Sequence, residues 1–198
     1  MRPAILALLF CGAGLLPVIG TAETWKVDPN HTAAQFSVKH MGISTVRGAF
    51  AKVKGTVDYD RTDPAKSAID VTIEASSIDT RVAMRDQDLR GPHFLEVEKY
   101  PTITFKSKRV EPSGPGKLKA TGDLTIHGVT QEVTLDIEGP SDPIKDPKGN
   151  LHMGASATTT VDRTQFGMSA MTGMVGTEIT ITIDAELIKP VESAAPGN

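Results

Sequence analysis

Hydrophobic and polar residues alternate along most of this chain, in short runs separated by turn residues. The plainest example is residues 122–139, where Leu124 and Ile126 point to one side. After a break at residues 127–130, Leu135 and its neighbours two positions away share one face. A period of two is typical of a strand with one dry and one wet face. The two runs therefore predict a β-hairpin, with His127 as a surface or turn residue.

The same alternation recurs over most of the remaining sequence. The further runs are residues 32–40, 46–50, 53–59 after a shift near Ala51, 69–75, 103–105, the Ala- and Thr-rich 151–161, and 179–187. Segments rich in Gly, Pro and Asp separate them, at residues 60–64, 111–116 and 139–150. Short connections imply antiparallel neighbours. About eight such strands predict an all-β fold, a closed antiparallel eight-stranded β-barrel; a two-sheet sandwich is the alternative.

One segment, residues 76–105, breaks the period of two. Apolar residues recur there at helical spacing between Val82 and Leu89, and Asp79 or Thr80 is expected to cap the helix. Gly91, followed by proline, ends it. This short helical insertion would sit near one mouth of the barrel, as a lid or as a plug.

The N-terminus has the composition of a secretory signal peptide. Arg2 precedes an apolar stretch at residues 4–19, and small residues lead to an expected cleavage after Ala22. An uncleaved membrane anchor is the alternative. Cys11 lies inside the signal and follows Phe10, which argues against lipidation, so the mature chain has no cysteine. We expect residues 23–190 to form one lipid-binding barrel domain and residues 191–198 to form a flexible tail.

Charge and motifs narrow the functional classes. The net charge is −3, and the basic residues are scattered among acids, which argues against a nucleic-acid partner. The five histidines have no metal-ligand spacing, so no metal site is expected, although folding could gather two or three of them. Asp86 and Asp88 are expected to form solvated ion pairs with neighbouring arginines. No nucleophile elbow or phosphate loop is present, so a non-enzymatic protein without a required cofactor is expected.

Four motifs give a family resemblance. The stretches VDPNHTAAQFSVKHMGISTVRGAF (27–50), SSIDTRVAMRDQDLRGPHFLEVEKYPTITFKS (76–107), GDLTIHGVTQEVTLDI (122–137) and VDRTQFGMSA (161–170) resemble, in this order, the YceI-like family. The resemblance implies an extended, lipocalin-like barrel exported to the periplasm. It also implies a polyisoprenoid ligand inside the barrel, such as a quinone or a polyprenyl phosphate, and homodimerisation. The motif positions, including Asp162 and Arg163, are expected to be mostly architectural.

The hypothesis is thus a non-catalytic periplasmic carrier of an isoprenoid-type lipid, with transient membrane contact. The small inward residues Ala34, Gly48, Gly55 and Ala75 favour unfilled space inside the barrel. The alternatives are a stress-related or interaction protein that binds another amphiphile, such as a fatty acid or amide, and an enzyme that acts on the bound lipid.

The expected ligand contacts fall into two groups. Those on the barrel wall are Phe36, Val38, Phe50, Ile69, Val71, Ile73, Phe105, Leu124, Ile126, Leu135 and Ile181. Met84, Leu89 and Phe94 are expected near the mouth. Arg85 is available for a polar head group, or pairs with Asp88 or Glu96. His40 lies at the rim or in the cavity, or is a structural histidine. Met168, Met171 and Met174 are adaptable lining or a loop.

Overall fold

A computed structural model describes residues 22–191. The predicted signal peptide, except Ala22, and the predicted tail, except Val191, lie outside the described residues. Twelve strands, one α-helix and three short 3-10 turns make up the described part. The strands are β1 (Glu23–Val27), β2 (Ala33–His40), β3 (Ser44–Phe50), β4 (Val53–Tyr59), β5 (Ala68–Glu74), β6 (Ile78–Asp79), β7 (Thr102–Gly114), β8 (Lys117–Ile126), β9 (Val129–Glu138), β10 (Ile144–Lys145), β11 (Leu151–Asp162) and β12 (Val175–Lys189). Helix α1 is Ala83–Arg90, and the 3-10 turns are Pro64–Lys66, Ala75–Ser77 and Arg163–Phe166.

The sheet closes on itself through β12. One edge of β12 pairs with β11 along its length, and the other edge pairs with β1 and then with β2. On the far side of β1 and β2, β4 pairs with β1 and β3 pairs with β2; beyond these, β5 pairs with β4 and β6 pairs with β3. The couples β1/β2, β3/β4 and β5/β6 are therefore each one long strand with an interruption. Together with β7, β8, β9, β11 and β12 they form a closed antiparallel eight-stranded barrel, as predicted, rather than a sandwich.

Several strand assignments differ from the sequence prediction: the short strands β6 and β10 lie in segments predicted to be insertion and turn, and larger differences occur at β1 and β7. The sequence predicted no strand at β1, because five residues beside a cleavage site give too short a pattern; yet Trp25 there is only 1% exposed. The turn predicted at residues 111–116 shrinks to Pro115 and Gly116, since β7 continues to Gly114. Register shifts on either side of Pro112 let a residue without an N–H stay in this strand.

The β8–β9 hairpin turns at His127 and Gly128, both with positive φ (52° and 74°). This is the two-residue turn that matches the twist of paired strands. His127 is thus a turn residue, one of the two predicted possibilities, although its side chain is only 16% exposed. Its ring packs edge-on against Tyr100, with ring centroids 4.6 Å apart, and Nδ1 lies 3.2 Å from the carbonyl oxygen of Phe166. The imidazole therefore links the hairpin to the segments that contain Tyr100 and Phe166.

The insertion contains the predicted helix, α1, but its start is held differently from the prediction. Val82 precedes the helix, and no side chain caps it. Instead, the Asp86 carboxylate accepts hydrogen bonds from the backbone N–H of Thr80 (2.8 Å) and from its hydroxyl. Asp86 is buried and not part of a solvated ion pair, and the Thr80 hydroxyl bond lowers the pKa of its carboxyl. Thr80, expected as a cap, is thus itself hydrogen-bonded by Asp86 of the first helical turn.

Within residues 22–191 no helix has the length and apolar character needed to cross a membrane.

Candidate functional site

The barrel encloses an apolar cavity with a volume of about 270 Å³. Its wall follows from strand pairing, because residues paired across neighbouring strands present their side chains on the same face. Val71 is paired with Phe105, and Phe105 with Leu124. The same alternation around the barrel directs a continuous aliphatic and aromatic surface inward, so the dry face inferred from sequence surrounds an unfilled space.

Thirteen of the sixteen residues expected to contact a ligand line this cavity. They are Phe36, Val38, Phe50, Ile69, Val71, Ile73, Leu89, Phe94, Phe105, Leu124, Ile126, Leu135 and Ile181. Eleven lie on strands, and Leu89 and Phe94 come from the insertion. Their placement shows a wall assembled from distant parts of the chain.

The other three expected residues lie away from the cavity. His40 ends β2 beside a register shift in β12 between Val175 and Ile179, and this irregularity breaks the inward alternation. Met84 is 82% exposed. Arg85 donates from Nε to the Thr80 hydroxyl (2.8 Å) and from Nη2 to the Thr80 carbonyl (2.9 Å), and not to Asp88 or Glu96. These hydrogen bonds make it part of the α1 start rather than of the cavity wall.

The expectation that small inward residues leave space is wrong for both glycines. A Cβ on Gly48 would collide with the Phe36 ring, and one on Gly55 would collide with the backbone of Asp70. Neighbouring atoms therefore leave no room for a larger residue at either position. Ala34 does line the cavity. Ala75 is buried in the core, outside the cavity wall.

Packed side chains occupy both ends of the barrel. At the α1 end, Leu89, Phe94 and Leu95 reach the cavity, and Phe94 and Leu95 are almost fully buried. The insertion therefore acts as a plug there. At the opposite end, Trp25 packs in a cluster with Met153 and Leu187. The cavity lies between these two ends.

The structure adds wall residues that the expected set omitted. On the strands they include Val27, Val53, Val57, Ile103, Val110, Leu118, Ile137, Val161, Ile179, Ile183 and Leu187. Most follow the same alternation, which was the available signal. Met168 also lines the cavity, whereas Met171 and Met174 are 48% and 44% exposed. Of the three methionines, the first therefore lines the cavity and the other two lie in an exposed loop.

Arg163 is the only charged residue among those that line the cavity within residues 22–191. It is 3% exposed. Its guanidinium donates to the carbonyls of Gly176 (3.0 Å) and Val175 (3.0 Å) and to that of Met168. Burial lowers the pKa of Arg163. Sequence reasoning treated it as architectural, and nothing in the local pattern distinguishes a turn arginine from one that reaches a cavity.

The guanidinium of Arg163 is not fully satisfied. Arginine carries five N–H donors, and the three carbonyls use three of them. In the part of the chain that the structure describes, no carboxylate oxygen lies within 4.0 Å of it. The Phe94 ring lies 5.9 Å from Cζ. The cavity thus has one cationic end with two spare hydrogen-bond donors.

A polar cluster occupies the outside of the opposite end. Glu186 accepts from His152 Nδ1 (2.7 Å), and His152 Nε2 lies 3.3 Å from Asp146. His31 Nδ1 lies 2.9 Å from the Asp28 carboxylate. Folding has therefore gathered two of the five histidines. Metal-ligand atoms of Asp28, His31 and Glu186 lie within 4.8 Å of one another and could hold a cation, but the His31–Asp28 and His152–Glu186 hydrogen bonds account for the arrangement.

This cluster makes stability depend on pH. The hydrogen bond to Glu186 raises the pKa of His152, and the Asn150 side chain leads the lowering of the Asp146 pKa to about 2. A raised histidine pKa stabilises the fold below the unfolded value, near 6.5, and that contribution is lost as pH rises through the folded pKa. A positive charge on His31 disfavours protonation of His152, whereas Glu186 and Asp146 favour it.

We expect His152→Gln to lower the melting temperature most below about pH 6, with a difference that shrinks towards pH 9. Thermal unfolding of both proteins across this range is the measurement. His93→Gln is the matched control, because His93 is exposed and has no hydrogen-bond partner among residues 22–191. A difference that grew with pH would contradict the assignment.

Comparison with known proteins gives consistent matches. The family model described as YceI-like domain matches residues 25–187. The protein YceI of Escherichia coli O157:H7 is 34% identical over 190 residues, covering 94% of this chain and 97% of the relative. A UPF0312 protein of Vibrio cholerae is 32% identical over 175 residues, covering 86% and 91%.

Solved structures share the barrel. The Campylobacter jejuni YCEI protein superposes with a TM-score of 0.69 at 32% identity, covering 77% of this chain and 90% of that one. BcnA of Burkholderia cenocepacia gives 0.72 at 23% identity, covering 83% and 99%. A polyisoprenoid binding domain from Saccharophagus degradans gives 0.61 at 11% identity, covering 84% and 98%. The last two likenesses show the fold alone.

Proposed function

We propose a lipid-binding role on the premise that this chain belongs to the YceI-like family. In this proposal the protein is non-catalytic and holds a long apolar chain of the isoprenoid type, from a quinone or a polyprenyl phosphate, inside the barrel. The polyisoprenoid binding domain of Saccharophagus degradans, which has the same fold, supports this ligand class.

The enclosed apolar cavity is the observation that carries the proposal. Its volume of about 270 Å³ exceeds the roughly 150 Å³ of an engineered apolar cavity that stays dry and binds benzene. An apolar ligand gains roughly 25 cal/mol for each Å² that it removes from water, before ordering costs. A flexible hydrocarbon needs no precise polar constellation, and the aliphatic wall offers none along most of its length.

Arg163 supports an orientation for the ligand. A buried guanidinium with two spare N–H donors is costly beside an empty apolar space, because unsatisfied charged donors lose their hydration. An oxygen acceptor on the ligand head group, whether a quinone carbonyl or a phosphate oxygen, would replace the hydrogen bonds to water that these donors lose. We therefore place the head group beside Arg163 and the hydrocarbon tail towards Trp25.

A periplasmic location is part of the proposal. It rests on the apolar N-terminal stretch with its cleavage signal and on the absence of cysteine after residue 11. There the protein would carry its lipid between membrane and solution.

The experiment that tests this function is mass spectrometry of an organic extract from natively purified protein. We expect an isoprenoid lipid in a ratio near one per chain. An empty extract would be followed by incubation of the purified protein with quinones and polyprenyl phosphates. Failure to take up any of them would overturn the proposed function, and a product that accumulated with turnover would favour an enzyme.

A further inference from the structure

The α1 end of the barrel carries a group of exposed apolar side chains. Six of the eight large hydrophobic residues that are exposed within residues 22–191 belong to three short segments at this end. They are Met41, Ile43, Val82, Met84, Met171 and Met174, called here the apolar rim. Ile43 and Met84 are the most exposed, at 84% and 82%.

Two of the three segments are joined directly. The backbone N–H of Met41 donates to the carbonyl of Met174 (2.6 Å), and His40 is paired with Val175. The turn between β2 and β3 and the loop before β12 therefore lie side by side. Met41, Ile43, Met171 and Met174 project from this one surface.

The third segment reaches the same end through β6. Asp79 is paired antiparallel with Ala49, so the chain after Asp79 runs beside β3 towards Ser44. A Cβ on Gly48 would touch the Thr80 methyl group, which confirms this path. Val82 and Met84 then begin α1 at the rim. Leu89 and Phe94 of the same insertion close the cavity, so the rim surrounds the plug.

Basic residues without acidic partners flank the rim. Lys39, Arg47 and Arg81 belong to β2, β3 and the segment that leads into α1. Within the described range, none of the three has a carboxylate oxygen within 4.0 Å. Most lysines elsewhere on the barrel are paired, as in Lys117 with Glu138 and Lys108 with Asp123, although Lys26, Lys54, Lys145 and Lys148 are not. The α1 end thus combines exposed apolar side chains with cations available to a partner.

We propose that the apolar rim is a docking surface for a lipid bilayer that contains anionic phospholipids. Contiguous exposed apolar patches with a polar border mark sites of membrane or protein contact. Apolar side chains enter the boundary between head groups and acyl chains, and lysine or arginine near the surface adds attraction to anionic lipids. Three cations without an acidic partner favour an anionic bilayer over a second copy of this rim, which would bring like charges together.

Flotation with phospholipid vesicles tests the proposal. Wild-type protein is expected to bind vesicles of phosphatidylcholine with phosphatidylglycerol, more weakly at high salt, and to bind pure phosphatidylcholine less. The double variant Ile43→Asp/Met84→Asp should lose binding by about tenfold or more. Both side chains are largely solvated, so the variant is expected to fold. Ile144→Asp/Val191→Asp, at positions 69% and 51% exposed near the opposite end, adds the same charge as the matched control and should bind as wild type does.

A charge variant tests the electrostatic part separately. Arg47→Glu/Arg81→Glu should lose the preference for phosphatidylglycerol, whereas Lys145→Glu/Lys148→Glu, which makes the same charge change at the opposite end, should keep it. Equal losses in both double variants would mean attraction by net charge alone and would overturn the rim assignment.

Two outcomes would overturn the proposal outright. The first is no vesicle binding by the wild type. The second is a dimer in sedimentation analysis that the Ile43→Asp/Met84→Asp variant dissociates, since the rim would then be an interface between copies of this chain. Loading of ligand from organic solvent, without vesicles, reports on the cavity independently. A rim variant that still loads ligand separates failure of docking from failure of the proposed function.

Discussion

Val71→Trp is expected to lower the affinity for an isoprenoid ligand by close to a hundredfold. Val71 lies on β5, and its side chain lines the cavity wall. An indole there would remove on the order of 100 Å² of ligand contact, which at about 25 cal/mol per Å² corresponds to roughly 2.5 kcal/mol. Overpacking costs about 1–3 kcal/mol of stability, so the protein should still fold. Titration with a fluorescent or radiolabelled isoprenoid measures the affinity.

The matched control for this variant is Asp70→Trp. Asp70 precedes Val71 on the same strand but faces solvent, where its contact with Lys106 is an exposed ion pair of little energetic weight. The control should therefore keep wild-type affinity. Unchanged affinity in a folded Val71→Trp protein would show that the ligand does not occupy this part of the barrel.

Arg163→Met is expected to lower the free energy of unfolding by about 3–5 kcal/mol. The substitution removes the donors for three buried carbonyls, those of Met168, Val175 and Gly176, and hydrogen bonds to charged groups contribute about 1.5–3 kcal/mol each with incomplete additivity. Denaturant unfolding gives the value. A loss below about 1 kcal/mol would show that the three carbonyls find other donors.

Arg163→Lys separates head-group recognition from stability. Lysine keeps the charge but lacks the planar fork, so it cannot satisfy the carbonyls and a ligand oxygen together. We expect wild-type protein to prefer an isoprenoid quinone or phosphate over a headless polyisoprene of equal length, and the variant to lose about tenfold of that preference. Arg90→Lys is the control, because Arg90 also donates to two carbonyls, those of Ser76 and Ile78, but does not itself line the cavity. An unchanged preference would contradict the proposed orientation.

The alternation of residues by itself determined an all-β fold and most of its inner face. In a strand, the direction of a side chain depends only on whether its position is odd or even, so Leu124, Leu135 and Ile181 could be assigned inward without knowing their neighbours. The prediction failed where the alternation is interrupted. His40 lies beside a register shift, and β1 is too short to show a period. The helix was also evident from its spacing, although its start was not, because Asp86 in the first turn, rather than Asp79 or Thr80, accepts the hydrogen bonds there.

Only the tertiary structure decided which residues approach one another across the barrel. Gly48 and Gly55 suggest empty space in sequence, but neighbouring strands bring Phe36 and the backbone of Asp70 against them. The 3-10 turn after β11 directs Arg163 to the cavity. Closure of the sheet likewise places His31 and His152 on one end and the apolar rim on the other. These contacts join residues far apart in the chain, so they depend on strand register and closure, which a local pattern does not contain.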